Sequence, residues 1–178
     1  MTDPDPFAWV RGATVLHQQQ HGCTAFTYRD DLLPGVLAAA VAPRRAVEVG
    51  TALGYLTLWL ATATPLTLVD TIELDLLHVE LARRNFATAG VAERITSHAG
   101  PAQTVLEDLP GGYDIAVFDG FRPDPAILGQ LEARLRPGGL LLMANMSHPG
   151  TDPVRAALAD PSRWIGDVRG DLAVAVRR

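Results

Sequence analysis

No lysine occurs in this chain: all fifteen of its basic residues are arginine. Arginine stays protonated in water, so a lysine-bearing phosphate loop, Schiff-base chemistry and a lysine general base are all excluded. The bias accompanies richness in Ala, Arg, Gly and Pro, as a high-GC coding sequence produces. Cysteine occurs once, at Cys23, which excludes an internal disulfide and a cysteine-built zinc site. No apolar stretch reaches the roughly 18 to 20 residues that a membrane span needs, and the opening "MTDPDPF" lacks the basic and apolar regions of a signal peptide. A cytoplasmic protein with no membrane partner is expected. The net charge is -5 and the arginines stand singly or in pairs. Without a concentrated basic patch to displace counterions, nucleic acid is not expected as a partner.

What is present is enough apolar sequence for one core, 48% of 178 residues, so a single domain over 1–178 is expected. From residue 45 onward short β-like runs alternate with helical patterns, which predicts strand-helix-strand units and a parallel, doubly wound α/β sheet. The strand candidates are 45–50, 66–73, 94–100, 114–120 and 139–145, with two more near "RWIGDV" and "LAVAVR". The clearest helix runs from Leu76 to Ala89 behind Asp75 as N-cap, with Leu76, Val79, Ala82, Phe86 and Ala89 facing inward and Glu80 and Arg84 outward. A second, "PDPAILGQLEARL", is stopped by "RPGG" before the next strand. Only about "RGD" separates the last two strands, too little for a parallel crossover, so they must form a hairpin with one strand antiparallel to the rest. Residues 5 to 42 carry two helices broken by "HGCTAFTYRD".

Ligands of open α/β sheets bind beyond the carboxyl ends of the strands. The loop after the first strand, "VEVGTALGY", spaces Gly50 and Gly54 as G-x-x-x-G, neither a dinucleotide fingerprint nor a phosphate loop. Its glycines suit close backbone approach to a ligand, and equally tight helix-to-strand packing. Glu48 would repel a pyrophosphate but suits an ammonium or sulfonium charge. Glu73 ends the second strand roughly 20 residues after the first glycine, where a carboxylate can take both hydroxyls of a ribose. Gln103, after the third strand, offers donor and acceptor to a purine edge. A cationic group, a ribose and a base together describe S-adenosylmethionine.

"AVEVGTALGYLTLWLA", "IELDLLHVELARRNFATAGVAERITSHAGPAQTVLEDL", "YDIAVFDGF" and "LRPGGLLLMANM", in that order, resemble the class I S-adenosylmethionine-dependent methyltransferases, and more narrowly the catechol and caffeoyl-CoA type O-methyltransferases. The resemblance implies a Rossmann-like seven-stranded sheet over 45–178. It also implies that segment 1–42 acts as an acceptor lid and dimerisation element, hence a homodimer. By the same resemblance Glu48 lies near the methionine amino group, Gly50 meets the methionine portion, and Thr51 and Tyr55 belong to the cofactor loop. Glu73 holds the ribose, Ala102 and Gln103 contact adenine, and Asp119 binds a divalent metal near the transferred methyl.

The sequence departs from the family in three places. Leu56 replaces a serine whose hydroxyl serves the methionine carboxylate, with Thr57 as a substitute; Arg122 stands where a lysine base is proposed; and Ala144 precedes Asn145 where the family has Asp-Asn. Magnesium prefers one or two carboxylates with further oxygens. Only Asp119 and Asn145 remain, with waters or Asp152 to fill the shell, so no metal is expected. His148, after the fifth strand, is then the candidate base, and Arg122 can hold an anionic acceptor beside an apolar wall at Phe121. His17, His21, Cys23 and Tyr28 fall in the lid segment; His17 and His21 make a two-ligand metal pair lacking a third, while His78 and His98 read as helix-surface and strand residues. The expectation is methyl transfer to a small-molecule hydroxyl by Asp119, Arg122 and His148, in secondary metabolism. The alternatives are an N- or C-methyltransferase and a catalytically silent cofactor-binding or partner protein.

Overall fold

The computed structural model describes residues 5–27 and 33–178; Tyr28 lies outside them. The strands are β1 (Arg45–Val49), β2 (Leu68–Glu73), β3 (Ile95–Ala99), β4 (Tyr113–Phe118), β5 (Leu135–Met143), β6 (Trp164–Arg169) and β7 (Leu172–Arg177). The helices are α1 (Ala8–His21), α2 (Leu33–Val41), α3 (Tyr55–Thr62), α4 (Leu76–Thr88), α5 (Ala102–Asp108), α6 (Pro125–Arg134) and α7 (Asp152–Leu158). One seven-stranded sheet runs in the order β3-β2-β1-β4-β5-β7-β6. β7 is antiparallel to both of its neighbours, so β6 runs with the parallel strands, and the expected hairpin turns at Gly170, whose φ is 58°. The winding reverses between β1 and β4, and that gap is where such a sheet opens a crevice.

Alternation along β1 sends Val47 and Val49 to one face and Ala46 and Glu48 to the other. Val49, Phe118, Leu141 and Met143 cluster with Leu128 of α6 and Val154 of α7. On the opposite face Ala46, Val69 and Val117 cluster with Val10 of α1, Leu58 of α3 and Phe86 of α4. The segment before the sheet is held to α3: the Tyr55 hydroxyl donates to Asp5 Oδ2 at 2.8 Å, and Phe7 meets Trp59 edge to face at 5.3 Å.

Three expectations need correction. "RPGG" does not lie outside the fifth strand. Tyr113 pairs with Leu135 and Ile115 with Leu140, so the intervening residues bulge out of the ladder, with Arg136, Pro137 and Gly138 exposed. That strand ends at Met143, because Asn145 adopts a left-handed φ of 61°. In α4, Asp75 caps as expected, accepting from the Leu77 and His78 amides. Leu76, however, is 72% exposed whereas His78 is buried at 4%. Helical periodicity along α4 cannot register α1, which brings His17 against His78 with ring centroids 5.2 Å apart.

Gly54 has a φ of +92°, and a Cβ built there would come 2.3 Å from Phe86 Cε1. For this glycine tight packing is the sufficient reason. Gly54→Ala combines left-handed strain with overpacking, so it should destabilise by about 3 kcal/mol, read as a lowered urea midpoint at unchanged slope.

Candidate functional site

Register brings the strand ends level. Gly50 N–H donates to the Ile72 carbonyl, Asp119 N–H to Val49 and Ala144 N–H to Phe118, so the residues after β1, β2, β4 and β5 meet at one edge. A small cavity opens there, lined by Phe26, Thr27, Gly50, Thr51, Tyr55 and Asp119 among others. Gly50 has a φ of +96°, and a Cβ would come 2.5 Å from the Asp119 carbonyl oxygen. The approach of the loop after β4 thus demands glycine by itself.

Glu48 lies fully buried, opposite Thr71 in register. Thr57 and Thr71 both donate to Glu48 Oε2 at 2.5 Å, and since Thr71's one proton is engaged there, Thr51 must be the donor in the 2.6 Å Thr51–Thr71 bond. Glu48 Oε1 has no partner among the described residues. Burial pushes this carboxyl up to about 7, against the pull of the two hydroxyls, with Glu73 adding repulsion. Asp119 is driven well above the usual carboxylate range, first by burial and then by Glu48 and Asp171. Two acids that repel each other in a low-dielectric crevice either hold protons or attract a cation.

Glu73 is anchored at both oxygens: Oε2 accepts the Ala52 amide at 2.8 Å and Oε1 the Asp75 amide at 3.0 Å. Each oxygen keeps a further lone pair for a ligand hydroxyl. The first of these bonds also holds Ala52 at a left-handed φ of 46°, a conformation costing roughly 1–2 kcal/mol in a non-glycine residue. Thr57 cannot substitute for the missing serine, because it is fully buried and its proton goes to Glu48. Tyr55 lines the cavity while its hydroxyl is committed to Asp5. Ala102 and Gln103 open α5 just after Gly100, whose amide donates to the Glu73 carbonyl; Gln103 is exposed, and its carbonyl accepts from Gln130.

On the acceptor side, Asn145 Nδ2 donates to the Gly120 carbonyl at 2.6 Å, joining the loops after β4 and β5. His148 donates its amide to the Asn145 carbonyl, and its ring meets Phe121 edge to face at 5.2 Å. His148 Nδ1 lies 2.9 Å from the Pro149 carbonyl. A carbonyl only accepts, so Nδ1 carries the proton and Nε2 keeps its lone pair. Arg122 is exposed and forms no ion pair among the described residues, and Asp152 lies on α7, also exposed. Of the donors a magnesium site would use, Asp119 keeps a carboxylate and Asn145 a side-chain oxygen, its Nδ2 alone being tied to Gly120, while Ala144 offers only a methyl where a second carboxylate would stand.

The sequence reading missed Thr71, Asp5, Phe26 and Asp171. A threonine amid apolar strand residues beside a buried acid was the available signal for Thr71. Asp171 reaches the site through the β6–β7 turn, where its Oδ1 accepts from the Ser147 amide and hydroxyl; no local motif marks it.

Residues 47–146 match the methyltransferase domain family. The chain is 37% identical over 118 residues to a catechol O-methyltransferase of Mycobacterium tuberculosis, covering 65% of this chain and 54% of that protein. It is 32% identical over 140 residues to catechol O-methyltransferase domain-containing protein 1 of Mus musculus, covering 75% and 53%. It thus spans about half the length of the curated relatives it matches. Among solved structures, the O-methyltransferase TomG of Streptomyces achromogenes, in complex with SAM and involved in tomaymycin synthesis, shares the fold. The TM-score is 0.81 at 24% identity, covering 99% of this chain and 91% of that one.

Between pH 4.5 and about 7 the unfolded chain has released the Glu48 proton while the folded chain keeps it. The stability this group contributes is therefore full below that window and is lost as pH rises through it, by about 3 kcal/mol. Glu48→Gln keeps an acceptor for both threonines and removes the titration. Its urea-unfolding free energy should fall less steeply with pH than the wild type's, and parallel curves would contradict the assignment.

Proposed function

Since the chain belongs to the methyltransferase domain family, we propose that it transfers a methyl group from S-adenosylmethionine to a hydroxyl of a small-molecule acceptor without a divalent metal. The observation that carries this reading is the pair of buried, mutually repelling acids, Glu48 and Asp119, at the reversal of the sheet. A ligand bearing ammonium and sulfonium charges relieves that repulsion, and the partnerless Glu48 Oε1 supplies an acceptor for an ammonium proton. Glu73 takes the ribose hydroxyls, Ala102 and Gln103 the adenine, and Gly50, Thr51 and Tyr55 the methionine portion. S-adenosylmethionine supplies a methyl group already activated by its sulfonium.

What remains for the protein is to orient the acceptor and remove its proton. His148 Nε2 accepts that proton while the Pro149 carbonyl holds the other nitrogen. Phe121 gives the acceptor an apolar wall, and Arg122 meets a carboxylate on it. The catechol O-methyltransferases among the relatives support a hydroxyl acceptor. The described residues contain no helix long and apolar enough to cross a membrane; the setting in this reading, a cytoplasmic enzyme of secondary metabolism, rests on the family resemblance. Exposed Trp9, Val15 and Leu16 on α1 and Val36 on α2 support pairing as a homodimer.

With labelled S-adenosylmethionine and a panel of phenols, amines and acids, a phenol should be methylated at a rate that magnesium leaves unchanged. Turnover abolished by a chelator and restored by magnesium would overturn the metal-free reading. Cofactor binding without turnover on any acceptor would overturn the enzyme. His148→Ala should lower kcat about a hundredfold with little change in the cofactor's KM, measured by initial rates.

A further inference from the structure

We infer that His17, Cys23 and His78 form a site for a thiophilic divalent cation, Zn²⁺ by preference, that clamps the N-terminal helix to the first turn of α4. One ligand atom from each of the three lies within 4.8 Å of the others. With Zn–N near 2.0–2.1 Å and Zn–S near 2.3 Å, tetrahedral ligand atoms stand about 3.3–3.6 Å apart. Small side-chain rotations suffice to close the set. Two imidazoles and a thiolate suit zinc and do not suit magnesium or calcium, which take oxygen.

The three residues come from two stretches of chain. His17 lies on α1. Gly22 ends that helix with a φ of 62° and its amide on the Gln18 carbonyl, and this turn delivers Cys23. His78 is in the first turn of α4, buried at 4%. No hydrogen bond joins the three among the described residues, so mutual bonding does not account for their convergence. The surroundings suit ligation. His78 Nδ1 is 3.8 Å from Glu73 Oε1 and Nε2 is 4.0 Å from Asp75 Oδ2, so a carboxylate stands near either nitrogen. Both lie beyond hydrogen-bond distance, and drawing either one in would give the ring the carboxylate partner that orients ligating histidines. His17 packs against both His21 and His78, with ring centroids 4.5 Å and 5.2 Å away. Burial and these two neighbours favour its neutral form over a weaker opposing pull from Asp75, and neutral imidazole is the form that ligates. Water completes the coordination.

The site has a consequence for the cavity. Cys23 precedes by a few residues Phe26 and Thr27, which line it, and Glu73 borders His78 on the other side. A bound cation therefore fixes where the lid segment meets the cofactor loop. The site does not depend on methyl transfer, and its test uses the full chain without cofactor.

Titration with Co²⁺ should give one ion per chain and a thiolate-to-cobalt charge-transfer absorption. Cys23→Ser should abolish that absorption, and both Cys23→Ser and His17→Gln should weaken Zn²⁺ by more than about tenfold, since even outer-shell partners are worth that much. Zn²⁺ should raise the thermal midpoint of the wild type and not of Cys23→Ser. An absorption absent from the wild type, or one that survives Cys23→Ser, would overturn the site, as would an equal thermal shift in the two proteins.

Discussion

A fully buried carboxylate organises the candidate site. Glu48 faces the helices α1, α3 and α4 across the sheet, and its burial is tolerated because two threonine hydroxyls converge on one of its oxygens. Those hydroxyls come from the adjacent strand and from the helix after the loop. The acid thereby ties together β1, β2 and α3, the three elements that frame the loop after β1. Its second oxygen is left bare, so the same arrangement that stabilises the fold leaves one unmet demand for a hydrogen-bond donor or a positive charge.

Much of this is legible in the sequence. Strand-helix alternation, the short hairpin link and the positions of Gly50, Glu73 and Asp119 at strand ends are local patterns, and the sheet order agrees with them. The illegible features depend on contacts between distant segments. Thr57 reads as a spare hydroxyl until Glu48 is seen to hold its proton. His78 reads as surface until α1 is laid across it. Asp171 gains meaning only because a turn far along the chain returns it to the strand ends beside Asp119. Gly54 answers to Phe86 rather than to a ligand.

The stretch after β5 illustrates how one residue can hold a structural role while its neighbours change. Asn145 takes a left-handed conformation that asparagine accepts more readily than most residues, and its amide bonds the loop after β4. That is sufficient reason for an asparagine here whether or not a cation ever lies nearby. Ala144, one residue earlier and 3% exposed, packs as a core residue. The loop beyond is thus positioned by backbone geometry, and His148 is carried to Phe121 by it.

The reversed seventh strand has a practical side. The parallel strands all point their carboxyl ends at the crevice, whereas β7 begins beside Met143 and runs back past Leu140. Arg178 consequently lies at the opposite end of the sheet from the crevice, with its amide on the Arg163 carbonyl. A bulky group carried by that residue would leave the mouth of the crevice unobstructed, because the whole sheet lies between the two.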